Sequence, residues 1–221
     1  MRRTFFCLVL AVFLSSGAWA TLVTDTSSFP AGAQVIDFSQ FTGANQINGT
    51  NGPVSIIPGV VFTSENGAGY LTNYYDWGLG PNGDWTSARN GYAGVDDVES
   101  PIVFTFGSPV SAVGGFMSYQ PGDGAVTIEA LGSGSVVLES YDLTTAAPIS
   151  TPTLNDGAFR GIVRTSKDIV AFRITGAVAT IDDLTFDLVL VPVIPAASRA
   201  GLALLGLLLA LGGVAALRLR G

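Results

Sequence analysis

The sequence predicts an all-β fold, a two-sheet sandwich between residues 21 and 190, enclosed by two apolar ends. Three observations carry that expectation. Short runs of β-branched and aromatic residues recur along the chain, each bounded by Gly, Pro, Asn or Ser. Phe104/Phe106 and Phe172/Ile174 show the period of two that arises when one face of a strand packs inward. No window between the apolar ends offers a helical period, and many short strands separated by turn residues form a sandwich.

The elements follow in chain order. Arg2 and Arg3 precede the apolar run Phe5–Leu14, and Ala18-Trp-Ala20 fits the small-x-small rule for signal-peptide cleavage. Residues 1–20 are therefore expected to be a signal peptide, with an uncleaved anchor as the alternative. The only cysteine, Cys7, lies in this segment, so the mature chain has neither disulfide nor reactive thiol. Strands are predicted at Val35–Phe38, Val60–Phe62, Ile102–Phe106, Val126–Ala130, Val136–Leu138 and Ile169–Ile174, with a final strand in Ala179–Phe186. Pro192 and Pro195 make a short stiff spacer. Residues 200–217 are small and apolar throughout, and at a rise of about 1.5 Å per residue they reach roughly 27 Å, enough for one transmembrane helix. Arg218 and Arg220 follow it and stay in the cytoplasm by the positive-inside rule, which puts the sandwich outside. The expected organisation is thus a signal peptide over 1–20, a sandwich over 21–190 and a C-terminal segment over 191–221.

Charge and missing residue types exclude several functions. Between Thr21 and Leu190 five basic residues face all 17 acids of the chain, a net charge of −12. Such a domain repels nucleic acid and anionic membrane surfaces, and suits cations. The chain has no histidine and its mature form no cysteine, which removes Ser-His-Asp and Cys-His catalysis and the usual zinc sites. No Gly-rich phosphate loop is present. A paired-carboxylate glycoside hydrolase remains formally open, since it needs only two acids at the right separation.

Three constellations stand out. Tyr70 to Tyr92 holds both tryptophans of the mature chain and four of its six tyrosines, interleaved with Gly, Asn and Asp. Its spacing fits no strand, so a long loop or paired hairpin loops are expected. Exposed rings there would stack on sugar faces while Asn, Asp and Arg bond hydroxyls, making Tyr74, Tyr75, Trp77, Trp85 and Tyr92 candidate glycan contacts. The alternative is that the rings fold back over the sandwich. In Ile181-Asp-Asp-Leu-Thr-Phe186, alternation places Asp182 on the apolar face with Leu184 and Phe186, or Asp183 there with Ile181. Asp37, in the first predicted strand, shows the same pattern. First and last strands are often neighbours, so Asp37 with Asp182 or Asp183 is a candidate structural calcium site, with placement at a sheet edge and bonds to backbone amides as the alternative. Finally, Asp96, Asp97 and Glu99 lack the spacing of a helix-loop-helix calcium loop and read as a solvated acidic loop.

The chain resembles the PEP-CTERM type of exported bacterial protein in its signal, β domain, Pro-containing motif, apolar helix and terminal arginines. Val191-Pro-Val-Ile lacks the Glu of Pro-Glu-Pro, and Ile194-Pro195-Ala-Ala-Ser198-Arg-Ala-Gly201 is closer to the IPTL-CTERM variant, matching Ile194, Pro195, Ser198 and Gly201. This resemblance covers about the last thirty residues. It implies sorting by an exosortase-type enzyme in a bacterium that makes extracellular polysaccharide. Phe104–Phe116, Phe159–Ile162 and Ile181–Phe186 are also similar to jelly-roll sandwiches found ahead of such tails, which implies calcium at Asp182 or Asp183. The function expected is an exported, non-catalytic surface or matrix protein that contacts extracellular polysaccharide through its aromatic segment. A purely structural or adhesive envelope protein is the second reading, and a hydrolase the third.

Overall fold

The computed structural model describes residues 20–72, 91–120, 123–148 and 157–187. The chain separates into two units, Met1–Leu188 and Val189–Gly221, and every described residue belongs to the first. The expected signal peptide up to residue 19 and the helix over 200–217 lie outside the described residues. Among the described residues no helix is long and apolar enough to cross a membrane.

The fold is all-β, with two antiparallel sheets. The strands are β1 (Ala20–Val23), β2 (Gln34–Ile36), β3 (Ile47–Thr50), β4 (Val54–Ile57), β5 (Val60–Thr63), β6 (Gly69–Thr72), β7 (Tyr92–Val95), β8 (Ile102–Val110), β9 (Ala112–Ser118), β10 (Thr127–Leu131), β11 (Val137–Asp142), β12 (Ala158–Arg164), β13 (Ile169–Thr175) and β14 (Thr180–Phe186). The larger sheet runs β1-β12-β9-β14-β7-β6-β3, with β2 also paired to β14. The smaller runs β11-β10-β13-β8-β5-β4. Each predicted strand has its counterpart among these.

One core lies between the sheets, as the alternation requires. Phe62, Phe104, Phe172 and Ile174 from the smaller sheet meet Leu71, Val113, Leu184 and Phe186 from the larger. The rings of Phe106 and Phe186 approach to 5.4 Å between centroids, and those of Phe38 and Phe104 to 6.1 Å. Aromatic pairs at such separations add to the stabilisation from burial.

Two central strands, β9 and β12, carry glycines that sequence reasoning takes for turn markers. Their role here is close approach. A Cβ on Gly114 would lie 2.5 Å from the Arg160 carbonyl oxygen and 2.6 Å from Gly161 Cα. The bare backbone of Gly161 receives Phe29, whose ring tip is 3.3 Å from where a Cβ would stand. Phe29 meets Phe159 edge-on, and Phe159 meets Phe116 the same way, so the outer face of the larger sheet carries a second apolar cluster.

Polar groups fasten the margins. Arg164 reaches from β12 to Glu139 on β11 at 2.6 Å and to Asp168 at 2.7 Å, tying the two sheets together at one margin. Arg160 donates to the carbonyl oxygens of Ala147 and Pro148, fixing the end of the single-turn helix α1 (Leu143–Ala146). Asp187 accepts from the amides of Ser111 and Ala112 and from the Ser111 hydroxyl, closing the β8–β9 turn.

Candidate functional site

Strand β14 sits in the middle of the larger sheet and exchanges partners halfway along. On one side it pairs with β9 throughout. On the other, Thr180 and Ile181 pair with Gly94 and Ala93 of β7, whereas Leu184, Thr185 and Phe186 pair with Ile36, Val35 and Gln34 of β2. The exchange falls at Asp182 and Asp183, where the pairing with β9 also shifts register. Asp183 has φ of +49°, the left-handed conformation that Asp tolerates better than most residues. This β-bulge inserts an extra residue and resets the parity of the strand.

The bulge corrects the alternation argument. Continuous alternation requires either Ile181 or Leu184 to face the core, yet Ile181, Leu184 and Phe186 all belong to it. Asp182 is opposite Phe116 on the outer face and is still buried, at 3% exposure. Its Oδ1 accepts from the Asp183 amide at 2.6 Å. Neither carboxylate needs a place among the core side chains.

The expected neighbours do converge here. Asp37 follows directly on β2 as Asp183 directly precedes the residues paired to it. The chain leading into β7 passes against the Asp37–Phe38 backbone so closely that a Cβ on Gly91 would lie 2.1 Å from the Asp37 carbonyl oxygen. The exposed Asp37 carboxylate accepts from the Ser39 amide at 3.1 Å and its hydroxyl at 2.8 Å. Asp37 and Asp182 each accept from a backbone amide, but Asp182 lies on a central strand and not at a sheet edge, which corrects that part of the alternative. Among the described residues no group of three or more acids is gathered to hold a metal ion.

The aromatic segment leaves and rejoins the sheet at the same place. Thr72, the last residue of β6, pairs with Tyr92, the first of β7, and β7 borders β14 just before the bulge. Tyr74, Tyr75, Trp77 and Trp85 lie outside the described residues. Tyr92 is described, and it corrects the expectation of an exposed glycan contact. It is fully buried on the face away from the main core, with ring carbons 3.3 Å from where a Cβ on Gly94 would stand. Its hydroxyl has no hydrogen-bond partner among the described residues. Burial, and then the nearby Tyr70 and Asp96, push its phenol far above the ordinary tyrosine value. A ring packed over a glycine presents no face to a polymer.

The acidic loop follows β7 at its other end. Asp96 and Glu99 are exposed there, as expected of a solvated loop. Asp97 orders the turn, accepting from the Ser100 hydroxyl at 2.6 Å and from the Ser100 amide at 3.1 Å. The Ser100 hydroxyl first, then the Glu99 amide, hold the Asp97 carboxyl below its ordinary range. Of the processing residues, Ala20 is the first residue of β1, opposite Arg164. Ala18, Ile194, Pro195, Ser198 and Gly201 lie outside the described residues.

Sequence reasoning missed one concave surface, on the outer face of the smaller sheet. Glu129 and Arg173 stand opposite each other on β10 and β13, paired at 2.5 Å. Their position in strands whose alternate residues are core was the available signal. Comparison with protein-family models, with curated proteins and with solved structures finds no match to this chain.

Proposed function

We propose that this chain is an exported, non-catalytic sandwich of the bacterial cell surface or extracellular matrix, which holds extracellular polysaccharide through the aromatic segment between β6 and β7. The supporting observation is the anchorage of that segment. Its two ends, Thr72 and Gly91, are set beside the strand exchange of a central, doubly flanked strand. Binding loops work best when a rigid scaffold positions them. With Tyr92 committed to packing, the contact residues are Tyr74, Tyr75, Trp77 and Trp85. The absence of histidine and mature-chain cysteine from the sequence supports a binding role over a catalytic one.

The finer parts of this reading come from the sequence alone. They are a jelly-roll arrangement of the sandwich, cleavage after Ala20, outward orientation, and sorting at Ile194-Pro195 by an exosortase-type enzyme with removal of the apolar helix. Intact mass of the mature protein tests the last: a C-terminus near residue 195 is expected, and an intact Gly221 means that the helix stays. Binding is tested by tryptophan fluorescence, because both mature tryptophans lie in the segment. Titration with the host's own exopolysaccharide is expected to shift the emission. An invariant spectrum at saturation would favour the structural or adhesive reading, and release of reducing ends from the polymer would favour the hydrolase.

A further inference from the structure

A groove of about 410 Å³ crosses the outer face of the smaller sheet, within the range of small-ligand sites. One wall is a polar ladder of two cross-strand pairs, Thr127 with Thr175 and Glu129 with Arg173. Ile128 and Ile174, between those pairs in sequence, point into the core and hold the ladder in place. The lining is completed by Glu65 and Glu99, from the loops after β5 and β7, and by Pro101. Those loops are fastened to each other. The Ser100 hydroxyl accepts from the Asn66 amide at 3.1 Å and donates to Asp97 at 2.6 Å, and the Asp96 amide donates to the Ala68 carbonyl at 3.1 Å.

The chemistry of the lining is mixed and unbalanced. Arg173 is committed to Glu129, and among the described residues neither Glu65 nor Glu99 makes an ion pair. Three carboxylates therefore face one guanidinium. The acids are not gathered closely enough to hold a metal ion. What fits is a spread-out organic cation that also carries hydroxyls. Thr127 and Thr175 donate and accept, while the Arg173–Glu129 pair offers fixed donors beside an acceptor. Resting on the polysaccharide reading above, we propose that this groove binds amine-bearing sugar units, so that the glycan recognised is one with free amino groups. A domain with net charge −12 repels an acidic polymer, and the groove adds the same preference locally.

The test titrates the full chain by calorimetry with a β-1,4-linked glucosamine tetramer and with its fully N-acetylated counterpart. The free amine is expected to bind at least tenfold tighter, and more weakly as salt rises. Exposed ion pairs typically contribute about two- to fivefold each, so Glu65→Gln with Glu99→Gln is expected to cost about tenfold for the amine and little for the acetylated tetramer. Asp25→Asn with Asp123→Asn removes the same charge outside the groove and is expected to change affinity less than twofold. Equal affinity for the two tetramers, no binding of the amine, or equal losses in both double variants would each overturn the proposal. The outcome separates from that of the aromatic segment. If exopolysaccharide still shifts the tryptophan emission while the tetramers are not distinguished, the groove assignment fails and the polysaccharide reading stands.

Discussion

Replacing Tyr92 by Phe removes one oxygen and leaves the packing of the ring over Gly94 unchanged. That oxygen is wholly buried and lacks a hydrogen-bond partner among the described residues, whereas in the unfolded chain water satisfies it. Burying a hydroxyl without a partner costs about 1–3 kcal/mol by mutational measure. Tyr92→Phe is therefore expected to stabilise the fold by about 1 kcal/mol, or about 2–4 °C in Tm for a domain of this size. Equilibrium unfolding in guanidinium chloride measures it, as a higher midpoint at unchanged slope. High pH supplies a second readout. The folded phenol is pushed above its ordinary value, so its contribution is intact below the unfolded value near pH 10 and is lost as pH rises beyond it. The advantage of the Phe variant is expected to widen above about pH 10. A variant less stable than wild type by 1 kcal/mol or more would mean that the hydroxyl is bonded, and would refute the assigned surroundings of Tyr92.

Three further outcomes are expected. Gly114→Ala is expected to lose about 2 kcal/mol or more, read as a lower guanidinium midpoint, because its Cβ would meet the rigid backbone of β12 at 2.5 Å. Burial raises the Asp187 carboxyl, but bonds from Ser111, Lys167 and the Ser111 and Ala112 amides outweigh it and hold the carboxyl below its ordinary value. Its contribution is thus complete above the unfolded carboxylate value and lost as pH falls toward the folded one; Tm measured from pH 7 to pH 2 is expected to fall less steeply for Asp187→Asn than for wild type. Scanning calorimetry with excess calcium or chelator is expected to leave the midpoint unmoved, because amides already bond the Asp37 and Asp182 carboxylates; a clear rise with calcium would restore the metal reading of those acids.

The two-sheet fold was legible because β-branched and aromatic runs at period two mark half-buried strands wherever they occur. Phe104, Phe106, Phe172 and Ile174 all lie in the core as that period requires. Strands β9 and β12 were harder to read. In Ala112-Val-Gly-Gly-Phe-Met-Ser118 and Ala158-Phe-Arg-Gly-Ile-Val-Arg164 glycine resembles punctuation, although here it admits Phe29 and a neighbouring backbone. A residue type records that a Cβ is unwelcome at a position. It does not record whether a turn or a close neighbour excludes it. The groove escaped for a related reason: Glu65 and Glu99 reach it from loops joined through Ser100, a contact between residues 35 apart.

The convergence of Asp37, Asp182 and Asp183 was foreseen, and its cause was not. Alternation assumes a strand of unbroken parity, and under that assumption one carboxylate must face the core, where only a partner of opposite charge would make it tolerable. The bulge at Asp183 removes the premise. It places Ile181 and Leu184 on the same side although they are three residues apart, so the acids are released from the core and the argument from alternation to a metal falls away. The same irregularity ends the pairing with β7 and begins that with β2, near the residues that flank the aromatic segment. The two adjacent aspartates mark the point at which one strand comes to serve two partners.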